Sequence, residues 1–135
     1  MSSRSLLRLL FSVGILTFAT AISLAQDSPV TRTELQRVPI AEMPGREGVL
    51  YKAVIAPGGV AAKHSHPGDE FVYVVSGTLV VEPESGGPVT LKAGDSFHQA
   101  KGKPHSAHNA STTEPAEAIV FILSEVGQPL ASAVE

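Results

Sequence analysis

From Val49 onward, apolar residues come in short runs, each closed by glycine, proline or a small polar pair. "VLYKAVIA" stops at Pro57-Gly58-Gly59, and "VAAKHSH" stops at Pro67-Gly68. "EFVYV" and "TLVVE" are split by Ser76-Gly77, a hairpin signal. "VTLK" ends at Ala93-Gly94-Asp95, and "SFHQ", "PHSAHN" and "AEAIVFILSE" complete the chain. Short runs rich in Val, Ile, Phe and Tyr, bounded by turn residues, read as strands. No 3.6-residue periodicity survives outside the N-terminal apolar stretch. Eight such strands predict an all-β domain, either a small barrel or a jelly roll, over residues 46–135.

The region before it has a different texture. Residues 26–45, "QDSPVTRTELQRVPIAEMPG", are polar and carry Pro29, Pro39 and Pro44. They predict an extended N-terminal arm with room for one edge strand, since "TELQ" is too short for a helix. Residues 1–25 read as a signal peptide. Arg4 and Arg8 precede seventeen uncharged residues, Leu9 to Ala25, and Ser23 and Ala25 sit at the small-residue places of a cleavage site. A spanning helix wants ~20 apolar residues, whereas five of these are Ser, Thr or Gly. The expectation is therefore a Sec-type signal and a periplasmic or secreted protein without stable membrane association.

Composition narrows the chemistry. The chain of 135 residues has no cysteine, which excludes disulfides, thiolate metal sites and cysteine nucleophiles. Its net charge is −3, and removing residues 1–25 takes away two arginines and no acids, leaving (10 − 2) − 13 = −5. With no basic patch, nucleic acid is not an expected partner.

One stretch, "VAAKHSHPGDEFVYVV", is over-furnished for a strand. Side chains alternate along a strand, so His64 and His66 share a face. Their Cα atoms lie roughly 6.6–7 Å apart at ~3.3 Å rise per residue, and both imidazoles can converge on one ion. Glu70 stands at the head of the next strand. "GKPHSAHN" offers His105 or His108 as a further ligand. A lone histidine is usually a surface or hydrogen-bonded residue, and one H-x-H alone is weak.

The wider spacing is more specific. Gly58, His64, His66, Glu70 and Gly77 stand in the pattern G-x5-H-x-H-x3-E-x6-G, and Gly94, Gly102, His105 and Asn109 in G-x5-P-x-G-x2-H-x3-N, with Ala100 where proline is usual. These are the two motifs of the cupins, and the chain resembles that family over residues 58–109, closest in texture to small single-domain, quercetin-dioxygenase-like members. The resemblance implies a jelly-roll barrel (a double-stranded β-helix). It also implies one divalent metal ion held by His64, His66, Glu70 and His105, with Glu70 as ligand and possible base. Such a set leaves two positions of an octahedron open for water, dioxygen or paired substrate oxygens. The ligands do not discriminate among Fe, Mn, Ni, Co, Cu and Zn.

Around this set, alternation turns Tyr51 toward the barrel if Lys52 faces solvent, where its hydroxyl could meet a ligand. His98 reads equally as a catalytic or supporting pocket residue and as a hydrogen-bonded wall histidine. His108, three places from His105, faces away. Val72 and Val74 are expected to line the pocket, Tyr73 to pack behind the wall, Phe97, Phe121 and Leu123 to fill the core, and Asn109 to cap a turn. The expected function is that of an exported metalloenzyme, dioxygenase-like, acting on a small oxygen-rich or aromatic molecule, with isomerase or lyase chemistry as a variant. The alternative is a non-catalytic periplasmic binding or metal-holding protein. Sheet edges and the arm favour a homodimer.

Overall fold

The computed structural model describes residues 28–135; the expected signal peptide lies outside the described residues. Ten strands follow in order: β1 (Val30–Pro39), β2 (Arg46–Ile55), β3 (Val60–Ser65), β4 (Asp69–Ser76), β5 (Thr78–Pro83), β6 (Val89–Lys92), β7 (Ser96–Gln99), β8 (His105–Asn109), β9 (Ala116–Glu125) and β10 (Ser132–Ala133). They form two five-stranded antiparallel sheets, β1-β2-β9-β4-β7 and β10-β3-β8-β5-β6. The described chain is all-β, a jelly roll whose two sheets enclose one core. The eight predicted strands are β2 to β9. The two additions lie at the ends of the described chain and pair through their backbones, which polar residues do as readily as apolar ones.

The polar region before Val49 contributes β1, which pairs with β2 from Val30↔Ile55 to Pro39↔Glu47, with a bulge between Glu34 and Gln36. Its side chains are mostly exposed because it is an edge strand. The Ser76-Gly77 hairpin forms as expected. Gly77 has φ +76°, and a Cβ there would stand 2.8 Å from the Ala116 Cα. Gly68 is needed for another reason, since a Cβ would lie 1.8 Å from the Leu123 carbonyl oxygen. That close approach lets the turn after His66 lie flat on β9.

The core is built from one parity of each strand. Val49, Tyr51 and Ile55 of β2 meet Ala118, Val120 and Ile122 of β9, with Val74, Leu79, Val81 and Leu91 from the remaining strands. Burying a side chain the size of Ile122 contributes ~1.5–3 kcal/mol. Here one expectation fails. Phe121 and Leu123 stand on the outer, half-buried parity of β9. Tyr73 takes the outer face of β4, behind the wall as expected, and is half exposed there. In β9 both parities are apolar from Ala118 to Leu123, so alternation does not reveal which set faces in. The interior, already occupied by Tyr51 and a cavity, takes the smaller set of Ala118, Val120 and Ile122.

Asn109 does more than cap a turn. Its buried Nδ2 donates to the carbonyls of Ile55, Ala56 and Glu114, and its Oδ1 accepts from the Ser111 amide at 2.9 Å. One side chain thus ties the end of β8 to the end of β2. The chain after β9 runs back across the barrel. The Val126 amide donates to the Gly45 carbonyl, Gly127 to Glu47 Oε1, and Val134 to the Lys63 carbonyl, while β10 pairs with Ser65 and His64. This strap ends beside the histidines.

Candidate metal centre

Register brings the first two candidate ligands together. On the second sheet, His64 of β3 lies directly opposite His105 of β8, so both imidazoles project from one face. Their ring centroids are 4.5 Å apart. His66, one residue past β3, adds a third ring at 4.8 Å from His64 and 5.2 Å from His105. All three are buried, and one nitrogen of each lies within 4.8 Å of the others. Glu70 arrives from the opposite sheet, where β4 pairs it with Gln99 and Ile122. Its Oε1 is 3.2 Å from His66 Nε2 and its Oε2 3.4 Å from His105 Nε2.

The outer nitrogen of each ring is already committed. His64 Nδ1 donates to the Ala62 carbonyl at 2.7 Å, His66 Nδ1 to the Leu130 carbonyl at 2.6 Å, and His105 Nδ1, more weakly, to the Lys103 carbonyl at 3.5 Å. A carbonyl only accepts, so the ring nitrogen facing it must carry the proton. In the neutral ring, Nε2 then presents a lone pair toward the centre, which is the tautomer a metal requires. The Lys103 carbonyl is itself held by Gln99 Nε2 at 3.1 Å.

Burial favours the neutral form of His64 and His105. It lowers His64 to about 4, helped by repulsion from His105 and His66, and it also lowers His105 against the opposing pull of Glu70. For Glu70, burial pushes the carboxyl upward, but a hydrogen bond from a protonated His66 and positive charge on His66, His105 and His64 outweigh it and hold it below its ordinary value, so cationic charge at the centre is what keeps this carboxylate ionised. With the rings in the neutral tautomer set by these carbonyls, three lone pairs and a carboxylate face one another. His66 Nε2 and Glu70 Oε2 are buried with no hydrogen-bond partner among the described residues. Their short separation from each other's group brings acceptor to acceptor. A cation at the centre satisfies both, so His64, His66, Glu70 and His105 fit the metal that the family resemblance implied.

Beside this centre lies a cavity of about 60 Å³, bordered by His64, Glu70, His105 and Tyr51 and walled by Val72, Leu79, Val81, Phe97, Ala118 and Val120. Val72 lines it as expected, while Val74 belongs to the packed core. Tyr51 is buried with its ring in the cavity wall. Burial and the Glu70 charge raise its hydroxyl pKa well above the ordinary phenol value, with Arg32 pulling the other way.

His98 is not brought to this site. It has the parity of Phe71 and stands on the outer face of β7, 49% exposed, with Nε2 2.9 Å from Asp69 Oδ1 and its ring on Phe71. Phe97 and Gln99, its neighbours, take the inner parity and leave His98 outside. His108 also lies outside, 3.5 Å from Glu82. The residue that sequence reading missed is Arg32. It borders the cavity from β1, a strand whose polar composition hid its membership of the barrel; the alternation "VTRTE" was the available signal.

Comparison with known proteins agrees with this geometry. The family described as "Cupin domain" matches residues 51–122, more than half of the chain. A search of curated proteins finds no match. Among solved structures, an oxalate oxidase in complex with the substrate analogue glycolate is 24% identical with a TM-score of 0.62, over 82% of this chain and 57% of that one. The DMSP lyase DddQ from Ruegeria pomeroyi is 21% identical with a TM-score of 0.57, over 64% of this chain and 43% of that one. The polyketide cyclase RemF from Streptomyces resistomycificus is 19% identical with a TM-score of 0.61, over 79% of this chain and 72% of that one. The chain thus spans only about half the length of the first two. At these identities the likeness is one of fold, and the three neighbours carry three different activities. With both motifs in place, three buried histidines converging inside a jelly roll, and the domain match across residues 51–122, the chain belongs to the cupin family.

Proposed function

We propose that this cupin is an exported, metal-dependent enzyme acting on a small oxygen-rich molecule, with dioxygenase-like chemistry as the leading reaction. The observation that carries the proposal is the pair of orphaned buried atoms, His66 Nε2 and Glu70 Oε2, at a centre that opens onto a cavity. A divalent ion held by His64, His66, Glu70 and His105 would supply polarisation or redox activation of substrate oxygens. The chain's own residues do the rest. Glu70, held below its ordinary carboxyl range, accepts a proton. Tyr51, kept protonated by burial, donates a hydrogen bond to a substrate oxygen. The apolar wall excludes water. His98 has no part in this pocket and is assigned to the outer face.

Isomerase or lyase chemistry on the same centre is a variant. A second reading, a non-catalytic periplasmic protein that binds a small molecule or holds metal, is favoured by the cavity's size, about 60 Å³. The same size disfavours the larger aromatic substrates that the sequence left open. Export is supported by Arg4, Arg8 and the Ser23-Leu24-Ala25 site, and it would put metal choice outside the cytoplasm, where affinity order favours Cu and Zn. A homodimer is part of the proposal, supported by the half-exposed Phe71 and Tyr73 on the outer sheet face.

The test is elemental analysis of protein from its native compartment, then oxygen uptake and product analysis with metal-reconstituted protein on a panel of hydroxy acids, keto acids and catechols. Turnover that vanishes in His105→Ala supports the enzyme. Bound metal without turnover of any panel member supports the second reading.

A further inference from the structure

Arg32 is out of keeping with the rest of its strand. Arg37, which also faces inward after the bulge, is neutralised by Glu34 and by the buried Glu47. Lys52, Lys63 and Lys101 are likewise each paired with a glutamate. Arg32 has no carboxylate within ion-pair distance among the described residues, and although exposed it borders the cavity beside the metal centre. Its register opposite Ala53, an inward position with a small side chain, gives the guanidinium room at the cavity mouth. It borders the cavity shared by Tyr51, His64, Glu70 and His105, and also a second, wider space of about 290 Å³ that leads outward past Lys63 and His64. It is therefore the cation at the junction between solvent and the centre, in a chain whose net charge is negative.

We propose that Arg32 anchors a carboxylate, so that the substrate class is small organic acids of a few carbons, entering through the wider space and lodging between Arg32 and the histidine centre. This rests on the reading of the cavity as a metal-dependent substrate pocket. The chemistry is that of a planar fork with paired donors, which matches the two oxygens of a carboxylate and discriminates against a neutral amide of the same shape. The centre adds to this. A divalent ion with Glu70 leaves one net positive charge, and Arg32 makes it two, so an anion is drawn into a pocket whose walls are otherwise largely apolar. The position on an edge strand means that the side chain can be changed without opening the core.

The experiment compares full-length mature protein with Arg32→Gln and Arg32→Lys. Zinc uptake is measured first, by calorimetry, and is expected to be equal in all three. Zinc-loaded protein is then titrated with glycolate, pyruvate and malonate and with their amides, with binding rather than turnover as the readout. The wild type should bind at least one acid about tenfold more tightly than its amide. Arg32→Gln should lose that preference, and Arg32→Lys should keep part of it. Equal acid-to-amide ratios in wild type and Arg32→Gln, or no acid binding at all, would overturn the anchor while leaving the metal centre standing. Failure of the wild type to take up zinc would instead overturn the metal reading, and the anchor with it.

Discussion

Metal should hold this barrel together, and the size of the effect follows from the site. In metal-free protein, His66 Nε2 and Glu70 Oε2 are buried without partners. A buried polar atom left unsatisfied costs on the order of 1–3 kcal/mol, so the empty centre is a weak point in an otherwise well-packed core. An ion that binds only the folded chain removes that weakness and adds ~2.7 kcal/mol at a hundredfold excess over its dissociation constant. For a domain of this size the melting temperature should rise by on the order of 10 °C. The assay is a thermal melt of the mature chain after chelation, then with Zn, Ni or Mn added back. His66→Ala and His105→Ala should each abolish the shift, because each removes a ligand and leaves Glu70 facing the remaining rings. His108→Ala should keep it, since His108 lies outside near Glu82. No shift of the wild type with any of these metals, or a His105→Ala variant that behaves like wild type, refutes the four-ligand centre.

Three further outcomes are expected. Truncation after Gln128 removes the Leu130 carbonyl that holds His66, and a competitive chelator titration should show metal affinity falling about 10–100-fold; unchanged affinity would make the strap irrelevant to the site. Metal-free protein should lose stability as pH falls from about 6.5 toward 4, because the unfolded chain protonates His64 at its ordinary value while the fold holds it to about 4, and His105 acts in the same direction. Denaturant melts across that window that stay flat would contradict this assignment. Light scattering on the order of tens of micromolar should give twice the chain mass, falling to one in Tyr73→Glu if the outer sheet face is the contact; a monomeric wild type ends that idea.

Much of this was readable from the chain. Turn residues at Gly58, Pro67-Gly68, Ser76-Gly77 and Gly94 punctuate the strands because only such residues bend the backbone sharply, and that chemistry is local. The shared face of His64 and His66 follows from the two-residue period of a strand, and the spacing to Glu70 and His105 carried the family. What alternation could not supply is which face of a doubly apolar strand points inward. That choice in β9 put Ala118, Val120 and Ile122 in the core and turned Phe121 and Leu123 out. Nor could it place His98, whose side was set by the pairing of Phe71↔His98 and Glu70↔Gln99. The convergence of Glu70 from one sheet on histidines from the other, the Leu130 carbonyl that orients His66 from 64 residues away, and the entry of Arg32 from a polar edge strand all depend on contacts between segments distant in sequence. Sequence period determines what a strand shows on each side; only the packing of the two sheets decides which side becomes the pocket.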